Sequence, residues 1–212
     1  MDAQLLFSGG RVTLESRKKF WKTIWDSKGK SQSKDLLFLD GYEHLDLDFS
    51  SKEISNTILQ LTDAKPSDTI LEVGCGAGFL AQEMQDYDYW GVDYSNSLIE
   101  KHLSLFPSHK VRPAEASKLP FKDNSFDIVF CYGVFQYLPS TKYADKAIEE
   151  MKRVAKKAIF LGDLKKKQTR KQHYVHPPES LRADGYEFSK CVYQPDNEDR
   201  YNAHLFLTKG KR

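Results

Sequence analysis

The chain has 212 residues, enough for one α/β domain with a substantial core, and 40% of them are hydrophobic, including 13 Phe and 11 Tyr. A formal net charge of +2 gives no overall electrostatic drive toward nucleic acid or a membrane surface. The three cysteines, Cys75, Cys131 and Cys191, show neither metal spacing nor a pairing pattern, and no apolar run reaches the length of a membrane span. The first residues lack the basic and apolar regions of a secretory signal. These features predict a cytoplasmic, reduced, metal-free globular protein, and they leave its oligomeric state open.

Residues 1–13 carry little pattern. Leu14 to Asp26 reads as an amphipathic helix, with Phe20, Trp21, Ile24 and Trp25 on one face and Lys and Arg on the other. Asp26 to Lys34 is polar and reads as a loop. Leu36-Leu-Phe-Leu39 is a short apolar element ending in a turn at Asp40-Gly41-Tyr42. Ser50 and Glu53 form a capping box, and Ile54, Ile58 and Leu61 continue on one helical face.

The most informative stretch is Thr69-Ile-Leu-Glu-Val-Gly-Cys-Gly-Ala-Gly-Phe-Leu-Ala81. Ile70, Leu71 and Val73 read as a buried strand. Gly74, Gly76 and Gly78 then alternate through a tight turn that lets a ligand approach the backbone, and a short helix is expected from Gly78 to Gln85. A second strand covers Asp88 to Val92, with Asp93 just beyond it. That is the spacing at which an acid meets a ribose in a dinucleotide-type βαβ unit. Glu72 is a carboxylate inside a buried strand, so it calls for a partner, either a ligand ammonium or a backbone amide.

Further on, Ser95 caps a helix carrying Leu98, Ile99 and Phe106, and Pro107 stops it. Strands are expected at Lys110 to Pro113, Phe126 to Cys131 and Ala158 to Leu161, with a helix from Tyr143 to Val154 between the last two. The tail holds a basic run of Lys165, Lys166, Lys167, Arg170 and Lys171, read mainly as solvated surface and alternatively as a dock for an anionic acceptor. A helix starts near Pro177-Pro178-Glu179. Phe188 to Tyr193 and His204 to Thr208 alternate as two strands joined through residues 195–199.

Four segments resemble the ordered motifs of class I S-adenosylmethionine-dependent methyltransferases. They are Leu71-Glu-Val-Gly-Cys-Gly-Ala-Gly78, Gly91-Val-Asp-Tyr-Ser95, Ala114-Glu-Ala-Ser-Lys-Leu-Pro-Phe121 and Asn124-Ser-Phe-Asp-Ile-Val-Phe130. The resemblance implies a Rossmann-like, doubly wound seven-stranded α/β sheet with a C-terminal antiparallel hairpin. It also implies an N-terminal helical cap over residues 1–65 and a cofactor-binding core over residues 66–212. A softer similarity, through Phe20-Trp-Lys-Thr-Ile-Trp25, Leu37-Phe-Leu-Asp-Gly41 and Tyr201-Asn-Ala-His204, is to enzymes of surface-polysaccharide and natural-product pathways.

The implied cofactor is S-adenosyl-L-methionine, leaving as S-adenosyl-L-homocysteine. Glu72 and the carbonyls of Gly74 and Cys131 would meet its ammonium group on the turn of Gly74, Cys75, Gly76 and Gly78. Asp93 would take the ribose, Tyr94 the adenine face, and Glu115 with the Ala116 N–H the adenine edge. The implied acceptor is a small molecule, such as a sugar, phosphorylated or nucleotide-linked intermediate. Tyr132, Gln136 and Tyr137 after the fourth strand would shape its pocket or bind it, and His173 or His176 would act as base for a hydroxyl acceptor. Trp21 and Trp25 would line a lid that closes over the acceptor and leaves the cofactor half untouched. Two other readings stand beside this one: a non-catalytic cofactor-binding partner subunit, and a nicotinamide-dependent oxidoreductase. The last usually carries G-x-G-x-x-G, whereas here the third glycine comes one position early.

Overall fold

The computed structural model describes residues 13–43, 50–168 and 173–207. Seven strands form one sheet: β1 (Thr69–Val73), β2 (Asp88–Asp93), β3 (Lys110–Pro113), β4 (Phe126–Tyr132), β5 (Ala155–Lys165), β6 (Glu187–Lys190) and β7 (Arg200–Phe206), in the order β3-β2-β1-β4-β5-β7-β6. The first five are parallel, and β7 runs antiparallel to both β5 and β6. The chain builds outward from β1 to β3 and then returns to place β4 on the other side of β1. That reversal opens a crevice at the carboxyl ends of β1 and β4, where an open α/β sheet takes its ligands.

The helices are α1 (Leu14–Lys30), α2 (Leu36–Leu39), α3 (Ser51–Leu61), α4 (Asn96–Leu105), α5 (Thr141–Val154) and α6 (Pro178–Ala183). Helix α5 shows why the local pattern succeeds. Ser140 accepts from the Tyr143 N–H at its start, and Ala144, Ala147, Ile148, Met151 and Val154 form the buried stripe against the sheet. On the other face of the sheet, Ile54 and Ile58 of α3 pack with Ile70, Ile128 and Phe130. A third cluster joins α1, α2 and α4 through Phe20, Trp21, Trp25, Leu39 and Leu98, with Ala77 of the glycine turn among them.

Several elements differ from the sequence expectation, each for a tertiary reason. Helix α1 runs on to Lys30, because Gly29 lies flat against the backbone of Ser97 and Leu98, where a side chain would collide. The helix expected after the glycine turn shrinks to a single 3₁₀ turn, Ala81–Glu83, since only residues 79–87 link the turn to β2. Strand β5 has 11 residues, extended at both ends by pairing with β4 and β7, and a register shift between Leu161 and Leu164 puts Asp163 at φ 57°. Strand β6 ends at Lys190, so Cys191 and Tyr193 turn inward, while β7 begins earlier than expected at Arg200. The basic run also changes character. Lys165 belongs to β5 and is buried, with its ammonium on His173 Nδ1 at 2.9 Å, and Arg170 and Lys171 lie outside the described residues.

Candidate functional site

The turn after β1 is shaped by its glycines. Gly74 and Gly76 have φ of 85° and 50°, a region that costs residues with a Cβ. Space is equally restrictive: a Cβ on Gly74 would strike Val134, and one on Gly76 would strike the carboxylate of Asp40. The turn hangs on β2, because Gly74 N and Cys75 N both donate to Val92 O, at 2.7 and 3.0 Å. On the far side, His102 Nδ1 lies 3.1 Å from Gly76 O and braces the turn from α4.

Two motif carboxylates are buried at this turn. Asp93 accepts from Ser95 N (2.8 Å) and Gly76 N (3.2 Å), and burial still pushes its carboxyl up to about 6 against those bonds. Glu72 accepts from the Tyr89 hydroxyl at 2.7 Å, and burial pushes it up to about 8. Among the described residues its hydrogen-bond partner is thus a phenol, which the sequence reading did not anticipate.

A third carboxylate was read in the sequence only as part of a turn. Asp40, at the end of α2, reaches across and accepts from Ala77 N (2.7 Å) and Phe79 N (2.8 Å). These are the free amides that the sequence assigned to a helix start. Asp40 opens onto the cavity but is walled by protein, and burial with repulsion from Asp93 pushes it up to about 7. The one available signal was its place after an apolar turn, which says nothing about a docking site 37 residues away.

These groups line a cavity of about 950 Å³, counting its open mouth. Of the residues singled out in the sequence, Glu72, Gly74, Cys75, Gly76, Asp93, Tyr94, Glu115, Ala116, Trp21, Trp25, Tyr132 and Tyr137 are all in its wall. The distant segments meet there. Trp21 and Trp25 pack edge-on against Tyr137, with ring centroids 4.5 and 5.0 Å apart. Tyr132 is buried, and its hydroxyl has no oxygen or nitrogen partner among the described residues, the Cys191 thiol being its polar neighbour. Beside Gly133 stand the Tyr42 hydroxyl and the buried carboxylate of Asp163, which Arg200 neutralises.

Other residues fall outside the lining. Gly78 and Cys131 do not reach it. Gln136 is buried with its amide on Gly133 O, at 3.3 Å. His173 stacks on the side of Trp21 at 5.4 Å and accepts from Lys165, behind the wall and outside the cavity. His176 is tied to the Tyr174 hydroxyl (3.1 Å) and Ser180 (3.2 Å), and burial lowers its pKa. The N-terminal segment also packs on residues that the resemblance assigns to the cofactor. Lys18 pairs with Glu115 at 2.7 Å, Lys22 sits over the Tyr94 ring, and Asp40 docks on the turn. Tyr143 adds a second bond to Glu115. Among the described residues no His, Cys, Asp and Glu group could hold a metal ion, and no helix is long and apolar enough to cross a membrane.

Comparison with known proteins bears on the same segment. The profile of the methyltransferase domain family matches residues 71–161, which span β1 to β5 and the glycine turn. Over these residues the chain carries a methyltransferase domain, the kind of domain that its four motifs resemble. Among curated relatives it is similar to a 2-phytyl-1,4-naphtoquinone methyltransferase of Nostoc sp., 34% identical over 110 residues that cover 46% of each chain. It is also similar to a probable tRNA methyltransferase 9B of Mus musculus, 29% identical over 107 residues, covering 50% of this chain and 24% of the relative. The methyltransferase thus spans less than half the length of these two relatives. In fold it resembles a Haemonchus contortus phosphoethanolamine N-methyltransferase solved with phosphoethanolamine and S-adenosylhomocysteine. That likeness has a TM-score of 0.67 at 16% identity, over 97% of this chain and 52% of the other.

Proposed function

We propose that this methyltransferase transfers the methyl group of S-adenosylmethionine to a small-molecule acceptor. The supporting observation is a single cavity whose wall joins the glycine turn, Asp93, Tyr94, Glu115 and Ala116 to the aromatic groups Trp21, Trp25, Tyr132 and Tyr137. The residues present suit the cofactor. Each Asp93 oxygen takes one backbone N–H and keeps a lone pair for a ribose hydroxyl. Tyr94, Leu98, Ala114, Leu138 and Pro139 offer apolar wall to an adenine, with Glu115 and the Ala116 N–H at its edge. Glu72 and the Gly74 carbonyl would face the ammonium group. The cofactor brings a sulfonium leaving group when bound, so the chain's own work is to hold, align and exclude water.

The wall favours a neutral or cationic acceptor over a phosphorylated or nucleotide-linked one. Its acids are Asp40, Glu72, Asp93 and Glu115, and its single base, Lys18, is already paired. A hydroxyl-bearing sugar intermediate of surface-polysaccharide or natural-product synthesis meets that requirement, with Tyr137 as the contacting group. This reading assigns no histidine base, since His173 and His176 are not among the residues of the cavity wall. The test is incubation with S-adenosylmethionine and a panel of sugar, amine, phenol and carboxylate acceptors, following S-adenosylhomocysteine and methylated product by mass spectrometry. Tight cofactor binding with no turnover on any acceptor would favour the non-catalytic subunit, and binding of NADH in its place would favour the oxidoreductase.

A further inference from the structure

The segment between β3 and β4, residues 114–125, forms no helix or strand, yet it carries Glu115 and Ala116 of the cavity wall. A loop without a ladder of its own must find partners for its backbone groups elsewhere. At its start Ala114 N donates to Asp93 O at 2.9 Å, and Lys118 N closes a turn on Glu115 O, also at 2.9 Å. Past that turn the partners come from α5. Tyr143, Glu150 and Arg153 stand at i, i+7 and i+10 on that helix, along one edge of its buried stripe.

The Tyr143 hydroxyl donates to Glu115 Oε2, and Glu150 Oε2 accepts from Leu119 N at 2.7 Å. Arg153 spreads its guanidinium over the rest. Its Nε and Nη2 donate to the two Glu150 oxygens at 2.7 and 2.8 Å, and Nη2 also to Leu119 O at 3.1 Å. Its Nη1 donates to Phe121 O at 2.8 Å and to Asp123 at 2.7 Å. In return Asn124 N donates to Arg153 O at 2.9 Å. A planar fork serves two carbonyls and two acids at once, which a single ammonium cannot do. The guanidinium also holds the Glu150 carboxyl below its ordinary value. Leu119, between these contacts, is buried in the core. Glu150 and Arg153 themselves lie outside the cavity wall, so anything they do for a ligand is done through the loop.

We propose that Arg153, with Glu150, is a positioning residue for the cofactor: it fixes the loop after β3 so that Glu115 and the Ala116 N–H read the edge of the adenine. The inference rests on the methyl-donor reading above. Adenine offers that edge an amino donor and a ring-nitrogen acceptor. Hypoxanthine, of nearly the same shape, offers the reverse, an oxo acceptor and a ring N–H donor. A loop fixed in place rejects hypoxanthine, because both of the loop's own groups would be left facing their like. A loop released from α5 can shift, and it discriminates less.

The test is calorimetric titration of the full chain with S-adenosylhomocysteine and with S-inosylhomocysteine, in which an oxo group replaces the adenine amino group. The wild type should prefer the adenosyl ligand by at least about tenfold. Arg153→Leu should weaken the adenosyl ligand by about tenfold and the inosyl ligand by less than about threefold, so that the preference shrinks. Arg153→Lys keeps the charge but not the fork, and should shift the preference in the same direction. Lys152→Ala, which breaks the neighbouring α5 pair with Asp184, should change neither affinity. Equal losses for the two ligands, or an unchanged preference in a folded variant, would make Arg153 a support of the fold alone and overturn the inference. Failure of both Arg153 variants to fold would overturn it in the same way. A wild type that binds the two ligands equally would take the loop off the adenine edge, and the inference with it, while leaving the methyl donor in place. If the wild type binds neither, the methyl-donor reading itself falls.

Discussion

Replacing Asp93 by Ala should weaken S-adenosylhomocysteine binding by at least about tenfold, or about 1.4 kcal/mol. Two charge-assisted hydrogen bonds to the ribose would go, each worth roughly 1.5–3 kcal/mol. The freed hydroxyls return to water, which recovers part of that sum. A second loss is specific to this structure: Asp93 also ties Gly76 N to Ser95 N, so its removal loosens the turn on which the ligand lies. Asp93→Asn separates the two effects. Its single amide oxygen can keep one of those backbone bonds, so it should be less destabilising than Ala while still losing a charged acceptor. The assay is calorimetric titration, with thermal unfolding of each free variant to monitor the fold. NADH serves as the control ligand, because a dinucleotide ribose would use the same carboxylate. An unchanged dissociation constant in a folded Ala variant would refute the ribose role, and parallel loss of NADH affinity would redirect it to another cofactor.

Glu72, Asp40 and Asp93 are all raised above their ordinary values, to about 8, 7 and 6. A carboxyl raised by folding contributes stability in its protonated form, present at low pH and lost as pH rises through the folded value. The ligand-free protein should therefore melt at a lower temperature at pH 8.5 than at pH 5.5 on their account. Glu72→Gln, which can still accept from Tyr89, should flatten that trend and add about 1 kcal/mol or more at the alkaline end; an unaltered pH profile would contradict the burial argument. Gly76→Val should abolish cofactor binding and lower the melting temperature, since its Cβ would displace Asp40 from the turn; normal affinity in a folded variant would remove the turn from the site. Deleting residues 1–30 should impair cofactor affinity as well as turnover, because Lys18 and Lys22 go with α1. Full cofactor affinity without the segment would show that α1 is a lid for the acceptor alone.

The parts of this protein legible in the sequence are those set by neighbours along the chain. Alternating glycines need no distant partner to make a tight turn, and Asp93 ends β2 at a spacing fixed by one strand–turn–strand unit. Ser95 and Ser140 cap α4 and α5 through amides three residues on, and the stripe of α5 is a matter of helical period. Tertiary structure decided the rest, because each remaining feature depends on groups far apart in sequence. Asp40 is an ordinary turn residue until α2 lands on the glycine turn and two free amides claim its carboxylate. Lys165 looks like the start of a solvated basic run until pairing with β7 prolongs β5 and draws it inside to His173. His173 and His176 follow the strand expected to deliver a base, yet Trp21 and Tyr174 hold them behind the wall. A carboxylate, an ammonium or an imidazole near a binding crevice takes its role from what desolvates it and what it touches, and those contacts exist only once the chain has folded.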